Sequence, residues 1–112
     1  MRAEALKGHL DGLLLACLET GPRHGYAIIE ALREATGGQL DLPTGTVYPA
    51  LHRLETAGWI RGRWSVVDGR RRRTYELSAK GRRALSSERA DWRRFSAVVT
   101  AALEGRPWPT PA

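Results

Sequence analysis

The chain has 112 residues, with 18 Lys+Arg against 12 Asp+Glu and a formal net charge of +6. That length allows one modest domain, and 42 % hydrophobic residues exclude an intrinsically disordered chain. A single cysteine, Cys17, excludes a disulfide framework and a cysteine-based metal site, and no apolar run reaches the ~20 residues of a membrane span.

The basic excess is of one kind. Lys7 and Lys80 are the only lysines among the 18 basic residues, so the other 16 are arginines. Arginine suits bidentate phosphate and guanine contacts better than lysine does. A small basic domain points to a polyanionic partner, either nucleic acid or an anionic membrane surface. A GC-rich genome would explain the abundance of arginine but not its clustering. No signal-peptide pattern opens the chain, so a soluble cytoplasmic protein is expected.

Leu6, Leu10, Leu13, Leu14, Cys17 and Leu18 recur with helical spacing and predict a first helix over about residues 5–19. Cys17 falls in the apolar run "LLLACL" and is expected to be a buried, inert thiol. Pro22 and Gly25 mark a turn, and a second helix is predicted from His24 to Ala35, ended by Thr36–Gly38. Tyr26 is expected to pack on its apolar side, with a phosphate contact at the helix start as the alternative.

In "TGTVYPALHRLETAG", Val47, Leu51 and Leu54 form one buried stripe of a third helix. With Thr46 as N-cap, Pro49 falls at the third helical position, where its missing N–H costs nothing. A start near Thr44 would instead require a kink at Pro49. Gly58 is the expected C′ residue.

"WIRGRWSVV", "DG" and "RRRRTYELS" predict a β-hairpin turning at Asp68–Gly69. A two-residue turn sets Val67 opposite Arg70, Ser65 opposite Arg72, Trp64 opposite Arg73, Arg63 opposite Thr74, Gly62 opposite Tyr75, Arg61 opposite Glu76 and Ile60 opposite Leu77. Trp64 with Arg73 reads as a cation–π pair and Arg61 with Glu76 as an ion pair. The hairpin grades from apolar at its base to cationic at its tip, which is built to meet something negative. Ser78 is the expected N-cap of a last helix, Ala79 to Leu103. Leu85, Trp92 and Val99 are seven apart on it, and Phe95 and Ala102 form a second row. Such a seam predicts self-association. "GRPWPTPA" reads as a frayed, disordered tail over 105–112.

Catalysis finds no support. There is no phosphate-binding glycine loop followed by Lys-Ser/Thr and no nucleophile–base spacing, and Ser86 and Ser87 are helix-face serines. His9, His24 and His52 are too widely spaced for a metal site, and no cofactor is expected.

Three helices, a hairpin and a helix are the order of a winged helix-turn-helix. The fold class is thus mainly α (α+β): a DNA-binding domain over 1–78 with a two-stranded β-hairpin wing, and a C-terminal dimerisation helix over 79–104. The chain resembles the PadR family of bacterial transcriptional regulators, in its short subfamily. The resemblance lies in "HGYAIIEAL", "GTVYPALHRLETAGWI", "GRRRRTYELSAKGRRAL" and Trp92, and covers about Leu10 to Leu103. It implies a homodimeric repressor on double-stranded DNA with a two-fold, pseudo-palindromic operator, with the third helix in the major groove. Carried over, Tyr48, Pro49, His52 and Arg53 would face DNA, with Thr44 and Thr46 near phosphates. Burial of Val47, Leu51 and Leu54 would leave the same positions exposed. Arg70, Arg71, Arg72 and Arg73 would be wing contacts on backbone or minor groove. Leu85, Trp92, Phe95 and Val99 would form the dimer interface or, as in a subset of the family, a site for a flat aromatic effector. The alternative is a winged-helix module whose basic hairpin docks on an acidic protein.

Overall fold

A computed structural model describes residues 3–111. Residues 1, 2 and 112, the outermost of the expected first and last segments, lie outside the described residues. The first predicted helix is broken. A single 3-10 turn, Ala3–Leu6, precedes α1, Leu10–Cys17. Gly8 between them has φ +88°, a left-handed conformation that stops a helix and suits glycine. The leucine spacing survives the break because Leu6 still reaches the core.

Helix α2 is Gly25–Ala35. His24 caps it in an extended conformation, and its Nδ1 accepts the Ala27 N–H at 3.2 Å. Thr36 closes the other end. Its hydroxyl donates to the Leu32 carbonyl at 2.7 Å and accepts the Leu40 N–H at 3.0 Å.

Helix α3 runs Thr44–Thr56, so Thr46 is not its cap. Pro43 takes that place: its carbonyl accepts the N–H groups of Thr46 and Val47 at 3.0 and 3.1 Å. Buried Leu42 anchors the approach to that cap. Pro49 is therefore the sixth helical residue and denies the Gly45 carbonyl its helical donor. Gly45 is exposed, where water can serve that carbonyl. The C-terminus is as predicted. Gly58 has φ +80°, Trp59 N–H donates to Leu54 O, and Gly58 N–H donates to Glu55 O, the Schellman pattern.

Strands β2, Ile60–Val67, and β3, Arg70–Leu77, pair in the predicted register from Ile60–Leu77 to Val67–Arg70. Asp68 and Gly69 have φ of +51° and +76°, as a tight hairpin turn requires. The sheet differs from expectation in having a third strand. β1, Arg23–His24, pairs antiparallel with β3 at Tyr75 and Thr74, giving the order β1-β3-β2. Glu76 also chooses another partner. Its carboxylate pairs with Arg63, the diagonal neighbour, rather than with Arg61 directly opposite.

Leu14, Leu15, Leu18, Ile28, Val47, Leu51, Leu54 and Ile60 are fully buried and join the three helices to the base of the sheet. Ser78 caps α4, Ala79–Glu104, by accepting the Gly81 N–H at 3.0 Å. Leu85 of α4 completes this core, and α4 then runs on with its side chains largely exposed. Among the described residues, no helix is long and apolar enough to cross a membrane. Trp108, past the end of α4, donates its indole N–H to the Ala102 carbonyl at 2.7 Å.

Cys17 is half-buried rather than buried as expected; that burial still raises the pKa of its thiol to about 11, against a weaker opposing effect of Arg23.

Candidate nucleic-acid interface

Burial of Val47, Ala50, Leu51 and Leu54 turns the rest of α3 outward. Thr44, Gly45, Tyr48, Pro49, His52 and Arg53 are exposed, and Thr46 is half-buried. The wing stands beside this face. Tyr48, His52, Glu55 and Thr56 of α3 line one cleft with Arg73 and Tyr75 of β3.

Tyr48 is held where α2 begins. A Cβ on Gly25 would stand 2.6 Å from Tyr48 Cε1, so only glycine lets the ring lie there. Tyr26, expected to pack, is instead 50 % exposed on the first turn of α2. Gly45 is different again: nothing lies within 4 Å of a Cβ built on it. Glycine costs helix stability, so Gly45→Ala should raise stability by about 0.5 kcal/mol in urea unfolding.

The four wing arginines have four environments. Arg70 is at the exposed tip. Arg71 is also exposed and lays its guanidinium 4.7 Å from the Trp64 ring centroid. Arg72 turns the other way, its Nη1 3.5 Å from His24 Nδ1 and its Nε buried without a hydrogen-bond partner among the described residues. Arg73 is 5.7 Å from the Trp64 ring, the pair expected from the register, and donates to Glu55 at 2.5 Å. Arg53 is also engaged, pairing with Asp11 of α1. Sequence reasoning missed Glu55 and Asp11. Spacing does place Glu55 on the face of His52 and Tyr48, at i+3 and i+7, whereas nothing local points to Asp11.

Desolvation, helped by Arg72, holds the His24 imidazole below its ordinary pKa, against weaker effects of Glu30 and Asp68. A base whose folded pKa is depressed is protonated first in the unfolded chain. Its contribution to stability is therefore complete above about pH 6.5 and is lost as pH falls below that value toward the folded pKa. His24→Asn keeps an N-cap acceptor that does not titrate. Its urea-unfolding stability should fall less than the wild type's between pH 7 and 5.

Helix α4 carries a second exposed surface. Trp92, Phe95, Val98, Val99 and Leu103 are all exposed, whereas Leu85, expected on this seam, is only 3 % exposed and belongs to the protein's own core. His9 packs edge-on to Trp92 at 5.1 Å and stacks on Phe95 at 6.2 Å. Beside them lies a groove of about 780 Å³ between α1 and α4, with Leu6, His9, Leu13, Leu40, Leu85 and Trp92 in its walls. The described residues hold no group of three or more His, Cys, Asp or Glu able to bind a metal.

Three helices, a small sheet with a cationic hairpin and an exposed helix beside it define a winged helix-turn-helix protein. The model of the transcriptional regulator PadR-like family matches residues 14–87, more than half of the chain, and the chain belongs to that family. The transcriptional regulator Rv3488 of Mycobacterium tuberculosis is 40 % identical over 67 residues, which are 60 % of this chain and 50 % of that protein. The crystal structure of a Streptococcus transcriptional regulator superposes with TM-score 0.79 at 33 % identity, over 90 % of this chain and 98 % of that one. That of a PadR family regulator from Eggerthella lenta gives 0.80 at 28 %, over 92 % and 88 %. Members of the family are regulators of transcription, not enzymes.

Proposed function

We propose that the protein is a homodimeric, cytoplasmic repressor that binds a two-fold symmetric DNA operator. The observation that carries this reading is the juxtaposition of α3 and the wing: an exposed polar and aromatic helix face flanked by exposed arginines. Tyr48, Pro49 and His52 meet base edges in the major groove, with Thr44 and Thr46 at phosphates near the start of α3. Arg70 and Arg71 follow the backbone or enter the minor groove. Arg53 and Arg72 complete the cationic surface from positions already braced by Asp11 and His24. Selection from random duplex DNA tests the reading. An inverted repeat with half-sites about 10–10.5 bp apart supports it. Binding without any preferred sequence overturns it and leaves general affinity or an acidic protein partner.

The exposed stripe on α4 supports the dimer. Five large apolar side chains on one solvent-facing helix form a patch that soluble monomers rarely expose. Trp92→Ala should weaken the dimer by about 2 kcal/mol, the cost of truncating a central aromatic anchor. Sedimentation velocity across micromolar concentrations reads this, and an unaltered dimer would remove Trp92 from the interface. The neighbouring groove has the size and apolar lining of a small-molecule site and favours a flat aromatic effector.

A further inference from the structure

We propose that Glu55 is a positioning residue: by holding the Arg73 guanidinium it sets the angle of the wing against α3. This rests on the DNA-binding reading above and assigns Arg73 to the wing's support rather than to DNA.

The guanidinium sits in a built seat. Glu55 Oε2 accepts its Nη2–H at 2.5 Å, and both side chains are about two-thirds covered, with 28 % and 33 % exposed. On its other side the backbone of Gly62 is bare. A Cβ there would lie 2.8 Å from Arg73 Nε and 2.9 Å from Cζ and Nη2. The Trp64 ring stands 5.7 Å away, and Tyr75 lines the same cleft. Arg70 and Arg71 have no such enclosure and remain exposed.

The position of this contact gives it leverage. The hairpin is buried at its base, where Ile60 faces Leu77. At ~3.4 Å per residue, Arg73 stands about 14 Å up β3 from Leu77, and Arg70 about 24 Å. A 10° swing of an untied wing would move its tip by about 4 Å, more than a hydrogen bond tolerates. The Glu55–Arg73 pair crosses from α3 to β3 partway along that arm. With about a third of each side chain still in solvent, a single such pair adds little to the stability of the fold. Its loss should therefore leave a folded protein with a misaligned wing.

The test compares Glu55→Gln, Arg73→Gln and the double variant on the selected duplex, as a function of salt. Each single variant should lose affinity by about tenfold, a loss of about threefold at each of the two wings of the dimer. The double variant should be no worse than either single one, and the salt slope should change equally in all three. If Arg73→Gln flattens the slope by about 1.8, one contact on each chain of the dimer, while Glu55→Gln binds as well as or better than wild type, Arg73 is a phosphate contact and the proposal is wrong. A measurement without DNA separates this from the DNA-binding reading. The Arg73 Nε–H resonance, assigned by its absence in Arg73→Lys, should be rigid on the nanosecond scale in wild type. It should become as mobile as exposed arginines in Glu55→Gln. Equal mobility in both proteins would overturn the tie, whatever the protein binds.

Discussion

Gly81→Ala should lower the unfolding midpoint by roughly 10 °C or more. A Cβ at this position would lie 1.9 Å from the Trp59 carbonyl oxygen and 3.1 Å from Leu77 Cδ2. That carbonyl cannot retreat freely, because it accepts the Ser78 N–H at 3.1 Å. Ser78 in turn donates its hydroxyl to Gly58 O at 2.6 Å while capping α4 through Gly81 N–H. The end of α3, the base of the hairpin and the start of α4 all meet at this point. Relief of the clash must open one of these bonds, a cost of about 3 kcal/mol or more. Thermal unfolding followed by circular dichroism reads the effect. A midpoint within 2 °C of wild type would show that the junction yields without cost.

Arg70→Ala combined with Arg71→Ala should weaken DNA binding by the dimer about 1000-fold at 0.15 M salt and flatten the slope of log K against log salt by about 3.6. Both figures follow from four lost phosphate contacts, two on each chain of the dimer, at about 0.9 counterions each. The preference for operator over unrelated DNA should change little, because phosphate contacts carry no sequence information. A fall in that preference confined to A·T-rich half-sites would instead place these arginines in the minor groove. Unchanged affinity would remove the wing tip from the mechanism. Arg71 also gives up its place over Trp64, but that contact is exposed and its loss should leave the fold intact.

The Gly81 junction and the arginine tip lie at different depths of the sequence. The hairpin was legible to the residue, because Asp-Gly permits one tight turn and period-two alternation then leaves one register. The Ser78 cap and the Gly58 stop were legible for the same reason: each is a local rule carried by one residue. The start of α3 was not. A carbonyl from Pro43 can cap a helix as well as a threonine hydroxyl can, and the choice depends on how buried Leu42 delivers the chain. The break at Gly8 was hidden by leucines that keep their spacing across it. Strand β1 is two residues long, too short to show any period.

The site was legible as a surface but not as a mechanism. Burial of one stripe of α3 already implied which residues remain exposed, and Tyr48 and His52 are among them. The alternation of β3 correctly separated Arg71 and Arg73, near Trp64, from Arg72, which turns to His24. What the four arginines touch depends on partners far along the chain. Glu55 is 18 residues from Arg73, and Asp11 is 42 from Arg53. Pairings at that distance are set by how the helices dock, and a run of arginines carries no mark of which member is spoken for.

Sequence-specific DNA binding by a dimer has one direct readout. It is tested most directly by fluorescence anisotropy of a labelled duplex from the DNA upstream of the protein's own gene. The titration is run at 0.15 M salt with excess unrelated DNA, and stoichiometry is read at saturation. A dimer that reads its operator gives saturable binding that survives the competitor, with two chains per site. Binding abolished by the competitor, or saturation at one chain per site, would contradict it.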